Sequence, residues 1–123
     1  MNDESNKDLR VRTKAFALRV VRLFSSLPKT TEAQVMGKQV LRSATSVGAH
    51  YREACRARST AEFISKIEVG LQELEETVYW LELLTESGIV KEELLLPLIQ
   101  EADELIAILV ASVKKAKTRL QKK

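Results

Sequence analysis

The sequence predicts an all-α fold, an antiparallel up-down bundle of four long helices, and three observations lead there. Apolar residues recur at the 3–4 spacing of one helix face in four separate stretches. Only four glycines and two prolines occur in 123 residues, so the chain has few places to turn and its elements must be long. Aromatic residues make up 5% of a chain that is 45% hydrophobic, which suits aliphatic helix packing better than a sandwich or barrel.

The first stretch runs from about Leu9 to Leu27, with Leu9, Phe16, Val20, Leu23 and Leu27 on one stripe. Ser25, Ser26 and Pro28 end it, because proline disfavours helical geometry in the residue before it. The second begins after Thr31, whose hydroxyl is placed to cap the helix with Gln34 three residues on. Its stripe is Met36, Val40, Ala44, Val47, Tyr51 and Ala54. The third opens at Ser59-Thr60-Ala61-Glu62, a fuller capping box, and continues through Ile64, Ile67, Leu71, Leu74, Val78 and Leu81. Gly88 stands where a left-handed cap would end it.

The fourth stretch carries Leu95, Leu98, Ala102, Leu105, Leu109, Val113, Ala116 and Leu120 on one face. Pro97 interrupts its start. The expectation is a separate short turn over residues 91–95, with Pro97 in the first turn of the main helix; a kink there is the alternative. Short connections force neighbouring helices antiparallel, and four single-striped rods bury their stripes best around a common axis. Residues 1–123 thus read as one domain, with a polar N-terminal tail over 1–8 and a basic C-terminal tail over 114–123 that frays into solvent.

Composition excludes several function classes. A lone cysteine, Cys55, cannot form an internal disulfide. Met1 to Asp8 is polar, without the apolar core of a signal peptide, and no run approaches the roughly 18 apolar residues of a membrane span, so cytoplasm is the default location. One histidine, His50, cannot supply a His-x-x-x-His pair or a di-iron centre, and no phosphate-loop glycine pattern occurs. The glutamates of helix three fall mostly off its apolar stripe, as on a solvated face. No metal, no cofactor and no catalytic residue is expected, and the chain reads as a binding protein rather than an enzyme.

The net charge is only +3, but it is unevenly spread. Residues 9–29 carry six Lys/Arg and no acid, whereas residues 60–88 carry one against seven acids. The last ten residues hold six basic side chains and no acid. On helix two, Lys38, Arg42, Arg52 and Arg56 lie within about 40° of one line, opposite Val40, Val47 and Ala54. Such a line is either a solvated face or a seat for an anion, the anion being nucleic-acid phosphate or the acidic third helix of a neighbouring subunit. Arg19 and Arg22 of helix one join it as candidate nucleic-acid contacts.

A second apolar surface is also present. Val69, Trp80 and Leu83 point away from the third helix's core stripe, with Glu76 between them, and Val11 and Leu18 do the same on the first. One stripe per helix suffices for a bundle, so the surplus marks these six residues as candidate oligomer contacts.

The run Arg42-Ser43-Ala44-Thr45-Ser46-Val47-Gly48-Ala49-His50-Tyr51-Arg52-Glu53-Ala54-Cys55-Arg56-Ala57-Arg58-Ser59 is similar to the second-helix signature of a bacterial four-helix-bundle family. That family is named for proteins encoded in intervening sequences of 23S ribosomal RNA genes. Glu62-Phe63, Lys66-Ile67 and Leu71-Gln72-Glu73-Leu74-Glu75-Glu76-Thr77 resemble its next motif, and the likeness extends from about Lys14 to Val113. Many members read Asn-Ile-Ala-Glu-Gly where His50-Tyr51-Arg52-Glu53-Ala54 stands here, which marks a variant subgroup.

The resemblance implies an up-down bundle assembling into a homopentameric ring. The accessory variability determinant of diversity-generating retroelements looks like a relative, and it implies a basic surface for nucleic acid and a reverse-transcriptase-like partner. The expected function is a non-catalytic homo-oligomer that engages RNA or DNA, or a nucleic-acid-processing partner, and no membrane. The alternative is a structural scaffold whose basic residues serve subunit pairing. No helix-turn-helix pattern or stacking aromatics point to base-specific readout.

Overall fold

The chain's computed structural model describes the backbone of residues 3–122 and the side chains of residues 8–122. Four helices follow in order: α1 (Asp3–Ser26), α2 (Thr31–Cys55), α3 (Thr60–Glu86) and α4 (Glu92–Gln121). Successive helices pack on each other, α2 against α3 most extensively, and α1 meets α4 only sparsely. Among the described residues, the diagonal pairs α1/α3 and α2/α4 bring no Cα atoms within 8 Å of each other. This is the expected up-down bundle.

Except at Leu120, the last residue of the fourth, which stands exposed, the stripes form the core. Phe16, Val20, Val40, Val47, Ile67, Leu74, Leu105 and Leu109 are buried on it, while Leu23, Met36, Leu71 and Val78 are half-buried at its edges. Three threonine and serine hydroxyls are enclosed with it, and that of Thr13 donates to the Leu9 carbonyl at 2.7 Å. Thr77 donates to the Glu73 carbonyl at 2.8 Å, which uses its one proton, so Ser43 at 2.8 Å is the donor in the Ser43–Thr77 pair. Both buried groups on the α2–α3 seam are thereby satisfied. Gly37 lets α1 close on α2, since a Cβ there would stand 2.6 Å from Leu27 and 2.9 Å from Phe24.

The ends depart from expectation in instructive ways. Thr30, not Thr31, caps α2: its hydroxyl accepts from the Ala33 N–H at 3.4 Å, and Gln34 instead reaches back to the Pro28 carbonyl at 2.8 Å. At α3, Ser59 accepts from the Glu62 N–H at 3.1 Å as anticipated. The Glu62 carboxylate, however, takes the Arg58 N–H at 3.0 Å rather than that of Ser59. Gly88, at φ 80°, adopts the left-handed geometry foreseen for it.

Pro97 lies inside α4, and no separate turn precedes the helix. A continuous helix buries Leu95 and Leu98 on one face, and this outweighs the single backbone hydrogen bond that proline removes in an exposed turn. Neither tail is a tail. α1 is helical from Asp3, and α4 continues to Gln121 because Ala116 is buried and Lys117 Nζ reaches Glu68 at 3.3 Å. Met1, Asn2 and Lys123 lie outside the described residues.

Candidate nucleic-acid interface

Up-down topology brings the end of α2, the start of α3, the end of α4 and the first turns of α1 to one end of the bundle. Arg52, Arg56 and Arg58 therefore lie at the same end as Lys114, Lys115 and Arg119, all exposed and, among the described residues, none in an ion pair. The opposite end carries Glu82, Glu86, Glu92 and Glu93. Arg22, Lys29, Lys38 and Lys91 stand at that opposite end as well, so it mixes both signs, and the cationic excess lies at the first end. Helices α2 and α4 both run toward the basic end, so their cations also complement the partial negative charge of two helix C-termini.

The basic end is recessed. A cavity of about 810 Å³ opens among Leu9, Ala54, Phe63, Ile108 and Ala116, with Arg58, Lys115 and Arg119 also lining it. Asp8 is the acid among its described lining residues. Behind one wall, the buried Tyr51 hydroxyl is hydrogen-bonded to the Cys55 thiol. Burial first, then that thiol, pushes the tyrosine's pKa well above its ordinary value.

The line predicted on α2 is only partly free. Lys38, Arg52 and Arg56 are exposed. Arg42 is not a free contact: its guanidinium bends around α2 to Glu73 of α3, at 3.1 Å, and to Glu76. The pairing anticipated between subunits is thus satisfied inside one chain. Glu76 also accepts from Trp80 Nε1 at 2.8 Å, so Arg42, Glu76 and Trp80 form one network along the α2–α3 seam. Arg19 and Arg22 lie away from the basic end, beside a shallow groove of about 360 Å³ shared with Leu94, Leu95 and Leu98.

The surplus apolar residues divide as well. Val11 and Leu18 stand open on α1 at 66% and 45% exposure, with Val21 beside them. On α3, Val69 is exposed at 37%, Leu83 is half-buried, and Trp80 packs against the edge of the core. Because α1 and α3 are diagonal, these two faces look in opposite directions.

Two features escaped the sequence. Arg12 grips Glu101 with two hydrogen bonds, of 2.7 and 3.2 Å, across the α1–α4 seam, and that carboxylate raises the guanidinium's pKa. The cavity is the other; its signal was the basic run after Val113 set beside Arg56 and Arg58, once antiparallel packing is drawn. Lys66 reaches Glu53 at 2.8 Å on the surface, which lowers the carboxylate's pKa and raises the amine's. His50 Nδ1 is enclosed without a hydrogen bond, 3.6 Å from Glu53. Among the described residues no group of three or more His, Cys, Asp or Glu side chains is placed to hold a metal, and no helix is long and apolar enough to cross a membrane.

The sequence model of the 23S rRNA-intervening sequence protein family matches residues 7–111. The chain belongs to that family. The family resemblance read from α2 and α3 is thus established over both helices and most of their neighbours. A crystal structure of a protein of unknown function from the S23 ribosomal protein family of Bacteroides thetaiotaomicron is similar, at 37% identity and a TM-score of 0.83. The match covers 89% of this chain and 97% of that one, so the two share the bundle throughout. No curated protein matches.

Proposed function

We propose that this family member is a non-catalytic, self-associating bundle that binds nucleic acid, or a partner that handles it, through a basic surface. The observation that carries this is the gathering of six exposed cations, Arg52, Arg56, Arg58, Lys114, Lys115 and Arg119, at one end, none paired with an acid among the described residues. Like charges held together by the fold repel one another, and phosphates relieve that repulsion while releasing their own counterions. Lys38 is exposed too, but it lies near the start of α2, toward the opposite end of the bundle.

Self-association is supported by the open Val11/Leu18 face on α1 and the Val69/Leu83 face on α3. Two different faces pointing in opposite directions make a head-to-tail contact, which closes into a ring when the rotation permits. The homopentamer implied by the family resemblance is one such ring. A pure scaffold held by subunit salt bridges is less well supported, because Glu73 and Glu76 already serve Arg42 within the chain.

Filter binding of RNA and DNA over a salt series tests the reading. Affinity should fall linearly with salt on a log–log plot, and Lys115→Glu should flatten the slope by roughly one phosphate contact. A slope of zero, or no binding at low salt, overturns it.

A further inference from the structure

We infer that the cavity at the basic end holds one phosphorylated nucleoside, free or at the end of a strand. Its phosphate would lie among Arg58, Lys115 and Arg119, with its base against Leu9 and Phe63. This deepens the nucleic-acid reading and rests on it.

Cations on a convex surface suffice to hold a duplex backbone; a recess with an apolar wall does not serve one. At about 810 Å³ the cavity is within the range of small-ligand sites. Its polar lining is already partly committed: Ser59 caps α3 and Ser112 donates to the Ile108 carbonyl. The three cations have no ion pair among the described residues. Three positive groups beside one acid suit a dianionic phosphate better than a single carboxylate. The apolar wall suits an unstacked base, and Asp8 offers an acceptor to a sugar hydroxyl or exocyclic amine.

The test compares a single strand ending in a 5′-phosphate with the same strand ending in a 5′-hydroxyl, by fluorescence anisotropy on the full chain. Nucleoside 5′-monophosphate and inorganic phosphate serve as competitors. Ala111 is exposed on the cavity wall, so Ala111→Trp fills the space without entering the core; circular dichroism confirms its fold. The phosphorylated strand should bind about tenfold tighter, the monophosphate should compete and inorganic phosphate should not. Ala111→Trp should erase the tenfold ratio while leaving the salt-dependent binding of both strands.

Equal binding of the two strands with no competition by the monophosphate, or an unchanged ratio in Ala111→Trp, overturns the cavity assignment and leaves the basic end standing. Binding of the monophosphate alone, abolished by Ala111→Trp, keeps the cavity assignment with a free nucleotide as ligand and sinks the nucleic-acid reading.

Discussion

The Tyr51 hydroxyl, enclosed near the end of α2 and bonded to Cys55, is held neutral in the fold because burial and the thiol raise its pKa. In the unfolded chain it ionises near ~10. Its contribution to stability is therefore complete below that pH and drains away as pH rises beyond it. Tyr51→Phe removes this dependence. Urea unfolding followed by circular dichroism from about pH 8 to about pH 11 should show a shallower alkaline decline in the variant. The difference should approach one proton, ~1.4 kcal/mol per pH unit. Identical slopes would mean that the hydroxyl is not enclosed. The exposed Lys66–Glu53 pair acts in both directions: its carboxylate favours stability above the ordinary carboxylate range and its amine below the ordinary lysine range. Screening keeps both effects small.

At the scale of elements, the two N-caps differ in geometry and so in strength. Ser59 holds the Glu62 N–H at 3.1 Å, whereas Thr30 meets the Ala33 N–H at 3.4 Å. Ser59→Ala should cost about 1 kcal/mol and Thr30→Ala less, measured as urea midpoints at constant m. The reverse order would show that the second connection is held by something other than its cap. The helices themselves were legible because a 3–4 stripe admits few other readings, and Gly88 because few residues besides glycine take a positive φ readily. Thr30 and Thr31 carry the same hydroxyl, and only backbone geometry chooses between them. Pro97 looked like a boundary since its local cost is visible in sequence, while the burial of Leu95 and Leu98 that offsets it is not. Ala116 hid the length of α4 in the same way. Each cation of the site could be read singly. Their convergence could not, because Arg58 and Lys115 lie far apart in sequence and meet only through the up-down path.

For the molecule as a whole, the unpartnered Val11/Leu18 face makes the most direct prediction. Placing charge there by Val11→Glu with Leu18→Glu touches no buried residue. It should leave the helical signal intact and lower the mass seen by light scattering after gel filtration. An unchanged mass with an unchanged fold would move the contact elsewhere. Arg42→Glu, by contrast, confronts Glu73 and Glu76 within the chain and perturbs the bundle itself, so it would be a poor probe of assembly.

The unequal seams of the bundle carry a consequence of their own. With α2 and α3 pressed together most extensively and α1 barely meeting α4, the central hairpin is the kernel and the two outer helices are its cladding. Amide hydrogens on α1 and α4 should exchange with solvent through shallower openings than those around Val47 and Leu74. The outer pair also bears what the molecule shows to others: the bare aliphatic face on α1 and half the cationic end on α4. A partner that shifts or tilts those helices works against the weakest joint in the fold and leaves the kernel undisturbed.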